Sequence, residues 1–159
     1  MIQRIQSVWL LLSAVLTALA IFFPLVSISG VSAGCNGTAG IDIYSYVIQY
    51  SESCGGVAVN AFTMSIFMAI TAVLNIVVIF LFNKRKLQIK LTHYSFLLKV
   101  ALVAVIVFYT FTLKGSFEDE HIIPQIGSLF LIIAMILDWL AVKGIRKDEA
   151  LVRSVDRIR

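Results

Sequence analysis

Four long apolar runs constrain what this chain can fold into more than any other feature. They cover residues 7–28, 57–82, 91–113 and 122–142, and the only charged side chains within them are Lys99 and Asp138. About 20 helical residues cross a hydrocarbon core of about 30 Å, so each run is long enough to span a bilayer. Only 14% of the residues are charged, against about a quarter in a soluble domain. The chain is therefore predicted to be a membrane protein.

Most of the basic residues fall on one side of this pattern, with Lys114 in an outer loop as the exception outside the spans. One precedes the first run, four lie between the second and third runs, and six follow the fourth run. Basic residues accumulate on the cytoplasmic side of membrane proteins, so both termini are predicted to be cytoplasmic. The predicted cytoplasmic surface, which would contact anionic headgroups or dock a partner, comprises Lys84, Arg85, Lys86, Lys90, Arg146, Lys147, Arg153 and Arg157.

The expected fold is an all-α membrane protein, a four-helix transmembrane bundle that runs up-down-up-down. Residues 1–142 form the transmembrane domain, with outer loops at 29–56 and 114–121 and an inner loop at 83–90. Residues 143–159 carry cations and apolar residues at helical spacing, which predicts an amphipathic cytoplasmic tail. Such a helix binds anionic lipid by itself, and the alternative is a docking site for a cytosolic partner.

The long outer loop contains both cysteines, Cys35 and Cys54, on either side of segment 41–50. That segment is rich in β-branched and aromatic residues, and it fits either a short strand or an interfacial helix. A disulfide is the economical prediction, because closing a loop of about 20 residues stabilises a fold by around 3 kcal/mol in an oxidising compartment. The alternative is a redox-active pair, which the wide spacing disfavours.

Lys99, Asn75 and Asp138 lie within the predicted spans, in the cytoplasmic half. At 1.5 Å per residue, Lys99 lies about 13 Å, Asn75 about 12 Å and Asp138 about 7 Å from the inner ends of their spans. An unpaired charge at such depth costs at least about 2.5 kcal/mol, so Lys99 is predicted to pair with Asp138, with Asn75 as a third member. The ion pair either fixes the register of the helices or belongs to a transport path. A single ion pair without further carboxylates favours the first role.

Three predicted cytoplasmic segments are recognisable together. They read MIQRIQ at residues 1–6, NKRKLQIKL at 83–91 and IRKDEALVRSVDRIR at 145–159. With them the chain resembles, over essentially its whole length, the domain of unknown function 4293 family. The resemblance implies a bacterial inner-membrane protein of four helices, and it implies no activity, ligand or catalytic residue.

The remaining motifs bear on the class of function. The sequence contains no phosphate-binding glycine-rich loop, no HExxH and no CxxC, so no enzyme, cofactor or metal site is predicted. Basic residues beside the spans indicate lipid headgroups rather than nucleic acid. The leading hypothesis is an accessory or scaffolding subunit of a membrane complex, with a membrane or cytosolic protein partner or self-association. The alternatives are a small transporter or channel that uses Lys99 and Asp138, and a membrane redox protein that uses Cys35 and Cys54.

Overall fold

The structure is a computed structural model that describes residues 3–31, 38–50, 58–60, 62–81, 85–113 and 118–156. Its elements in chain order are helix α1 (Gln3–Leu19), strands β1 (Val26–Val31), β2 (Thr38–Ile43), β3 (Val47–Tyr50) and β4 (Ala58–Asn60), helices α2 (Phe62–Phe80) and α3 (Arg85–Leu113), strand β5 (Glu118–Pro124) and helix α4 (Ile126–Asp156). The chain is therefore mainly helical, with a small sheet in addition.

The sheet has five strands in the order β4-β3-β2-β1-β5, and every neighbouring pair is antiparallel. Four of its strands come from the segment between α1 and α2, and β5 comes from the segment between α3 and α4. The two predicted outer loops are thus joined by backbone hydrogen bonds between β1 and β5. The prediction of an all-α chain is wrong in this respect.

Helix α1 ends at Leu19, whereas the first apolar run continues to residue 28. Pro24 lacks the N–H that a continuing helix needs. After it, Val26 and Ile28 are buried while Ser27 and Ser29 are partly exposed, which is the two-residue period of a strand. A uniformly apolar run does not by itself distinguish strand from helix, so the first apolar run contains both a helix and the first residues of a strand.

The fourth apolar run differs from the structure in the same way. Its first residues belong to strand β5, which ends at Pro124, and helix α4 begins at Ile126. Segment 41–50 is also a β structure, because β2 ends at Ile43 and β3 begins at Val47. In the turn between these strands, the N–H of Tyr44 donates to the carbonyl oxygen of Val47 at 2.9 Å. Of the two alternatives for this segment, the strand is confirmed and the interfacial helix is wrong.

The sheet packs on one end of the helices through a cluster of buried apolar residues, here called the sheet-side cluster. From the strands it includes Ile28, Ile41, Ile43 and Ile48. From helices α2, α3 and α4 it includes Met64, Met68, Leu102, Ile106 and Leu131, and Ala20 directly follows α1. A second, smaller cluster lies further along the helices and is built around Leu10, Val78 and Ala141. Apolar layers therefore occur at two levels.

The helices contact one another around a ring, since α1 packs against α2 and α4, and α3 packs against the same two helices. The sheet joins the end of α1 to the beginning of α4. At the opposite ends, Gln6 Nε2 of α1 donates to Asp148 Oδ2 of α4 at 2.5 Å. These two contacts make α1 and α4 antiparallel.

Among the described residues, three helices are long and apolar enough to cross a membrane, by length and composition: Phe62–Phe80, Leu87–Leu113 and Ile126–Asp148. The apolar part of α1, Gln6–Leu19, is shorter. All four helices expose large apolar side chains, for example Val8 (59%), Phe80 (73%), Phe108 (68%) and Ile136 (52%). Apolar surface of this extent is costly in water and suits lipid, which is consistent with a membrane protein.

Candidate functional site: a buried polar cluster

The centre of the helical ring contains an ion pair between α3 and α4. Lys99 Nζ lies 2.6 Å from Asp138 Oδ2, and neither side chain has exposed surface. These are the two residues that the depth argument paired from the sequence. Because a charge away from water is costly without a partner, each group is compensated by the other.

The Asp138 carboxylate accepts hydrogen bonds from all three other helices. Within the described part of the chain, Oδ1 accepts from Ser13 Oγ (2.6 Å) and Asn75 Nδ2 (3.1 Å), and Oδ2 accepts from Lys99 Nζ (2.6 Å) and Ser95 Oγ (3.3 Å). A carboxylate has about four acceptor positions. The observed donors therefore match its acceptor capacity.

Ser13 links the other members of this group. Its Oγ lies 2.6 Å from Asp138 Oδ1 and 3.0 Å from the carbonyl oxygen of Ala134, and the shorter contact takes its one proton. The same oxygen accepts from Asn75 Nδ2 at 3.0 Å and from Lys99 Nζ at 2.9 Å. A hydroxyl can donate once and accept twice, so all three positions are used. We call Ser13, Asn75, Ser95, Lys99 and Asp138 the polar cluster; each residue is buried.

The polar cluster lies between the two apolar layers. Along α1, Ser13 lies between Leu10 of the smaller cluster and Ala20 of the sheet-side cluster, and along α4, Asp138 lies between Ala141 and Leu131 in the same way. Apolar side chains on both sides keep the ionic groups away from water, which strengthens each of their hydrogen bonds.

One acceptor of the polar cluster is unsatisfied, because Asn75 Oδ1 is buried and has no hydrogen-bond partner among the described residues.

The arrangement can fix the register of four helices. Each helix contributes at least one polar group to one carboxylate, so sliding any helix by one turn would remove a hydrogen bond that no apolar neighbour replaces. In lipid, polar contacts of this kind hold helices together where no hydrophobic drive between them exists. The polar cluster can therefore hold the helices in fixed relative positions, and the acceptor positions of its central carboxylate are all occupied.

Sequence reasoning identified Lys99, Asp138 and Asn75 and missed Ser13 and Ser95 as members. Ser95 is four residues before Lys99, and four-residue spacing puts both on one helix face. Ser13 lies in an apolar run that has no charged residue to mark a polar face. For Ser13 and Ser95 the available signal was therefore a small polar residue on the helix face that packs toward Asp138.

The other predicted site residues lie elsewhere. Lys90, Arg146 and Lys147 are exposed on α3 and α4. Arg85, Lys86 and Arg153 lie within these helices, but their side chains are outside the described part of the structure, as are Lys84, Arg157 and the predicted disulfide partners Cys35 and Cys54. Among the described residues, no three His, Cys, Asp or Glu side chains come close enough together to hold a metal ion.

Residues 30–34 read GVSAG, which has the GxSxG spacing of a nucleophile elbow. An elbow requires a turn from a strand into a helix. Here Gly30 and Val31 end β1, and the next described element is β2, which pairs with β1 as an antiparallel neighbour. The pattern therefore occurs between two paired strands and carries no catalytic assignment; Ser32 itself lies outside the described residues.

Replacing Ser13 tests its linking role. Ser13→Ala removes one donor to Asp138 and the acceptor shared by Asn75 and Lys99, all of them buried. We expect the free energy of unfolding in detergent to fall by about 1–2 kcal/mol. Ser65→Ala, which removes an exposed bond to the carbonyl of Phe62, is the control and should change it by less than about 0.5 kcal/mol. Equal effects would contradict the linking role.

Apolar helices around a buried ion pair make a mainly helical chain that is consistent with a membrane protein. The chain belongs to the family described as Domain of unknown function (DUF4293), whose family model matches residues 2–158, nearly its whole length. This confirms the resemblance drawn from the three basic segments. No curated protein matches the chain.

Proposed function

We propose that this protein is a multi-pass protein of the bacterial inner membrane, with four spans and both termini in the cytoplasm, and that it is an accessory or scaffolding subunit of a membrane complex. It performs no catalysis of its own. Its helices form a rigid unit, and its cytoplasmic surface binds anionic headgroups and a membrane or cytosolic partner.

Two features support four spans. Helix α1 exposes Val8, Leu11, Leu12 and Val15 along one side, as a lipid-facing helix does. Its 17 residues extend about 25 Å at 1.5 Å per residue, close to the thickness of a hydrocarbon core.

The orientation is supported by charge. The exposed cations Lys90, Arg146 and Lys147 belong to the helix ends remote from the sheet, and basic residues favour the cytoplasmic side.

The polar cluster is the single observation that carries the scaffolding role. Its charges are paired, its carboxylate is fully hydrogen-bonded and all of its side chains are buried. A transport path needs polar groups that exchange partners with water or a substrate. A buried cluster around a carboxylate whose acceptor positions are filled instead favours a fixed arrangement of helices that presents constant surfaces to other proteins.

The experiment is affinity purification of the tagged protein in mild detergent, comparing the full chain with a truncation after Asp148. The truncation keeps the Gln6–Asp148 contact between α1 and α4 and removes the basic end of the tail. We expect the full chain to retain a stoichiometric partner and the truncated chain, still inserted in the membrane, to lose it.

Recovery of self-association alone, or a partner that the truncation retains at full yield, would contradict the proposal that the tail docks a partner. Lys90→Gln serves as a control, because it removes one exposed cation from α3 without shortening the tail. It should leave the yield of the partner unchanged.

The transporter or channel is retained as a second candidate because of Asn75. Its buried Oδ1 has no hydrogen-bond partner among the described residues, while its Nδ2 donates to Ser13 Oγ, the same acceptor that the Lys99 ammonium uses. An acceptor in this position would receive a hydrogen bond from a water or a substrate proton during transport. The redox hypothesis rests on Cys35 and Cys54, and nothing in the polar cluster supports it.

A further inference from the structure

A pocket of about 340 Å³ opens between α3 and α4 near the ends remote from the sheet. It is lined by His93 and Phe96 of α3 and by Trp139, Val142, Lys143 and Arg146 of α4. Its volume is within the usual range for small-molecule sites. The pocket is separate from the polar cluster, although Trp139 directly follows Asp138 in the sequence.

The walls of this pocket differ in chemistry along its length. Trp139 is 54% exposed and Phe96 is half-buried, so they form an apolar wall that faces outward from the helices. Lys143 and Arg146 are exposed one and two turns further along α4. Within the described residues the pocket lining has two cations and no carboxylate, so its polar end attracts an anion.

Two ring contacts orient the lining. Lys143 Nζ lies 5.2 Å from the centroid of the Trp139 ring, within the range of a cation–π contact. The rings of His93 and Phe96 stack with centroids 6.4 Å apart. The first contact directs the ammonium of Lys143 back along α4 toward the apolar wall. A positive group and an apolar surface therefore face the same space.

We propose that this pocket binds one anionic phospholipid, whose phosphate contacts Lys143 and Arg146 and whose acyl chains lie against Trp139 and Phe96. Tryptophan and basic residues at this spacing match the interface of a bilayer, where the ring contacts chains and headgroup together. Basic pockets between membrane helices on the cytoplasmic side bind anionic headgroups. A free anion would use the cations and leave the apolar wall uncovered. The inference rests on the proposed membrane insertion and is independent of the scaffolding role.

The test uses the full protein in an uncharged detergent, where no anionic surface exists apart from added lipid. Phosphatidylglycerol is titrated and bound lipid is counted by native mass spectrometry, with phosphatidylcholine as the neutral lipid. Each cation near an anionic group contributes roughly a factor of five in affinity. Lys143→Gln/Arg146→Gln is therefore expected to weaken phosphatidylglycerol binding about 25-fold.

The matched control is Lys90→Gln/Lys147→Gln, which removes the same charge from exposed positions outside the pocket lining. It should change the affinity by less than about twofold. Equal weakening by the two double variants would show diffuse attraction and overturn the proposal. Equal binding of phosphatidylcholine and phosphatidylglycerol would overturn it too, and so would equal binding of glycerol phosphate, because that anion has no acyl chains.

A second measurement locates the lipid without removing any cation. The sequence has two tryptophans, so Trp9→Phe leaves Trp139 as the only one. Phosphatidylglycerol with brominated acyl chains should quench its fluorescence, and unbrominated phosphatidylglycerol should restore it. Absence of quenching overturns the lipid site. Failure of membrane insertion would be seen separately, as protein missing from the membrane fraction of cells.

Discussion

Asp138→Asn is expected to lower the free energy of unfolding by about 3–5 kcal/mol, because it leaves a buried ammonium without its counter-charge. After this change Lys99 keeps only a neutral hydroxyl, Ser13 Oγ at 2.9 Å, and the weaker amide. Lys99→Met should cost less, because the Asp138 carboxylate would still accept from Ser13, Asn75 and Ser95. The measurement is reversible unfolding in mixed micelles with increasing denaturing detergent.

The control for this pair of variants is Lys90→Met, which removes an exposed lysine from the same helix. Its effect should be within about 0.5 kcal/mol. An Asp138→Asn variant as stable as the unmodified protein would show that the ion pair does not hold the helices. A Lys99→Met variant less stable than Asp138→Asn would show that the three remaining donors do not support the carboxylate.

The double variant Lys99→Met/Asp138→Asn removes both charges and is expected to be more stable than Asp138→Asn alone, since no uncompensated charge remains. It also separates the two candidate functions. A scaffolding subunit should still recover its partner at full yield. A transporter should fold and yet lose transport, because its charged groups are gone.

Gly127→Ala is expected to lower the free energy of unfolding by about 2–3 kcal/mol through overpacking. A Cβ at Gly127 would lie 2.6 Å from the carbonyl oxygen of Pro24 and 2.9 Å from that of Phe23. Both atoms are backbone, and the N–H of Gly127 donates to the same Pro24 carbonyl at 3.0 Å. The first turn of α4 must therefore move away from the segment that leads into β1. Thermal unfolding followed by circular dichroism measures the loss.

Gly144→Ala is the matched control on the same helix. Its Cβ would meet Gln6 Cγ at 3.1 Å, and a glutamine side chain can shift. The gain of alanine over glycine in a helix, about 0.5–1 kcal/mol, offsets that displacement. We expect little change or a small increase in stability; a loss equal to that of Gly127→Ala would mean that close backbone approach is not the reason.

The buried ion pair could be anticipated from the sequence, because two lone charges within apolar runs have few ways to be compensated. Lys99 and Asp138 had to meet each other or water. The sequence offered no comparable reason for Ser13, since a serine in an apolar helix can bond to its own backbone. Its place at the centre of the cluster depends on how α1 is rotated against α2, α3 and α4.

The sheet illustrates the opposite case. Segment 41–50 had the composition of a strand, but nothing local assigned partners to it. The pairing of β1 with β5 joins residues nearly one hundred positions apart, as in the register Ile28↔Ile122. Both residues belonged to apolar runs that were long enough to be spans, so hydropathy alone favoured helix for each of them.

The sequence by itself indicated apolar helices suited to lipid and the pairing of Lys99 with Asp138, because both follow from quantities that add along the chain, namely apolar length, charge count and the position of each charge. Only the tertiary structure decided where α1 and α4 end or begin, which strands pair, and that Ser13 and Ser95 complete the polar cluster. Those features depend on distances between segments that are remote in sequence, and on the close approach at Gly127, which no local pattern contains.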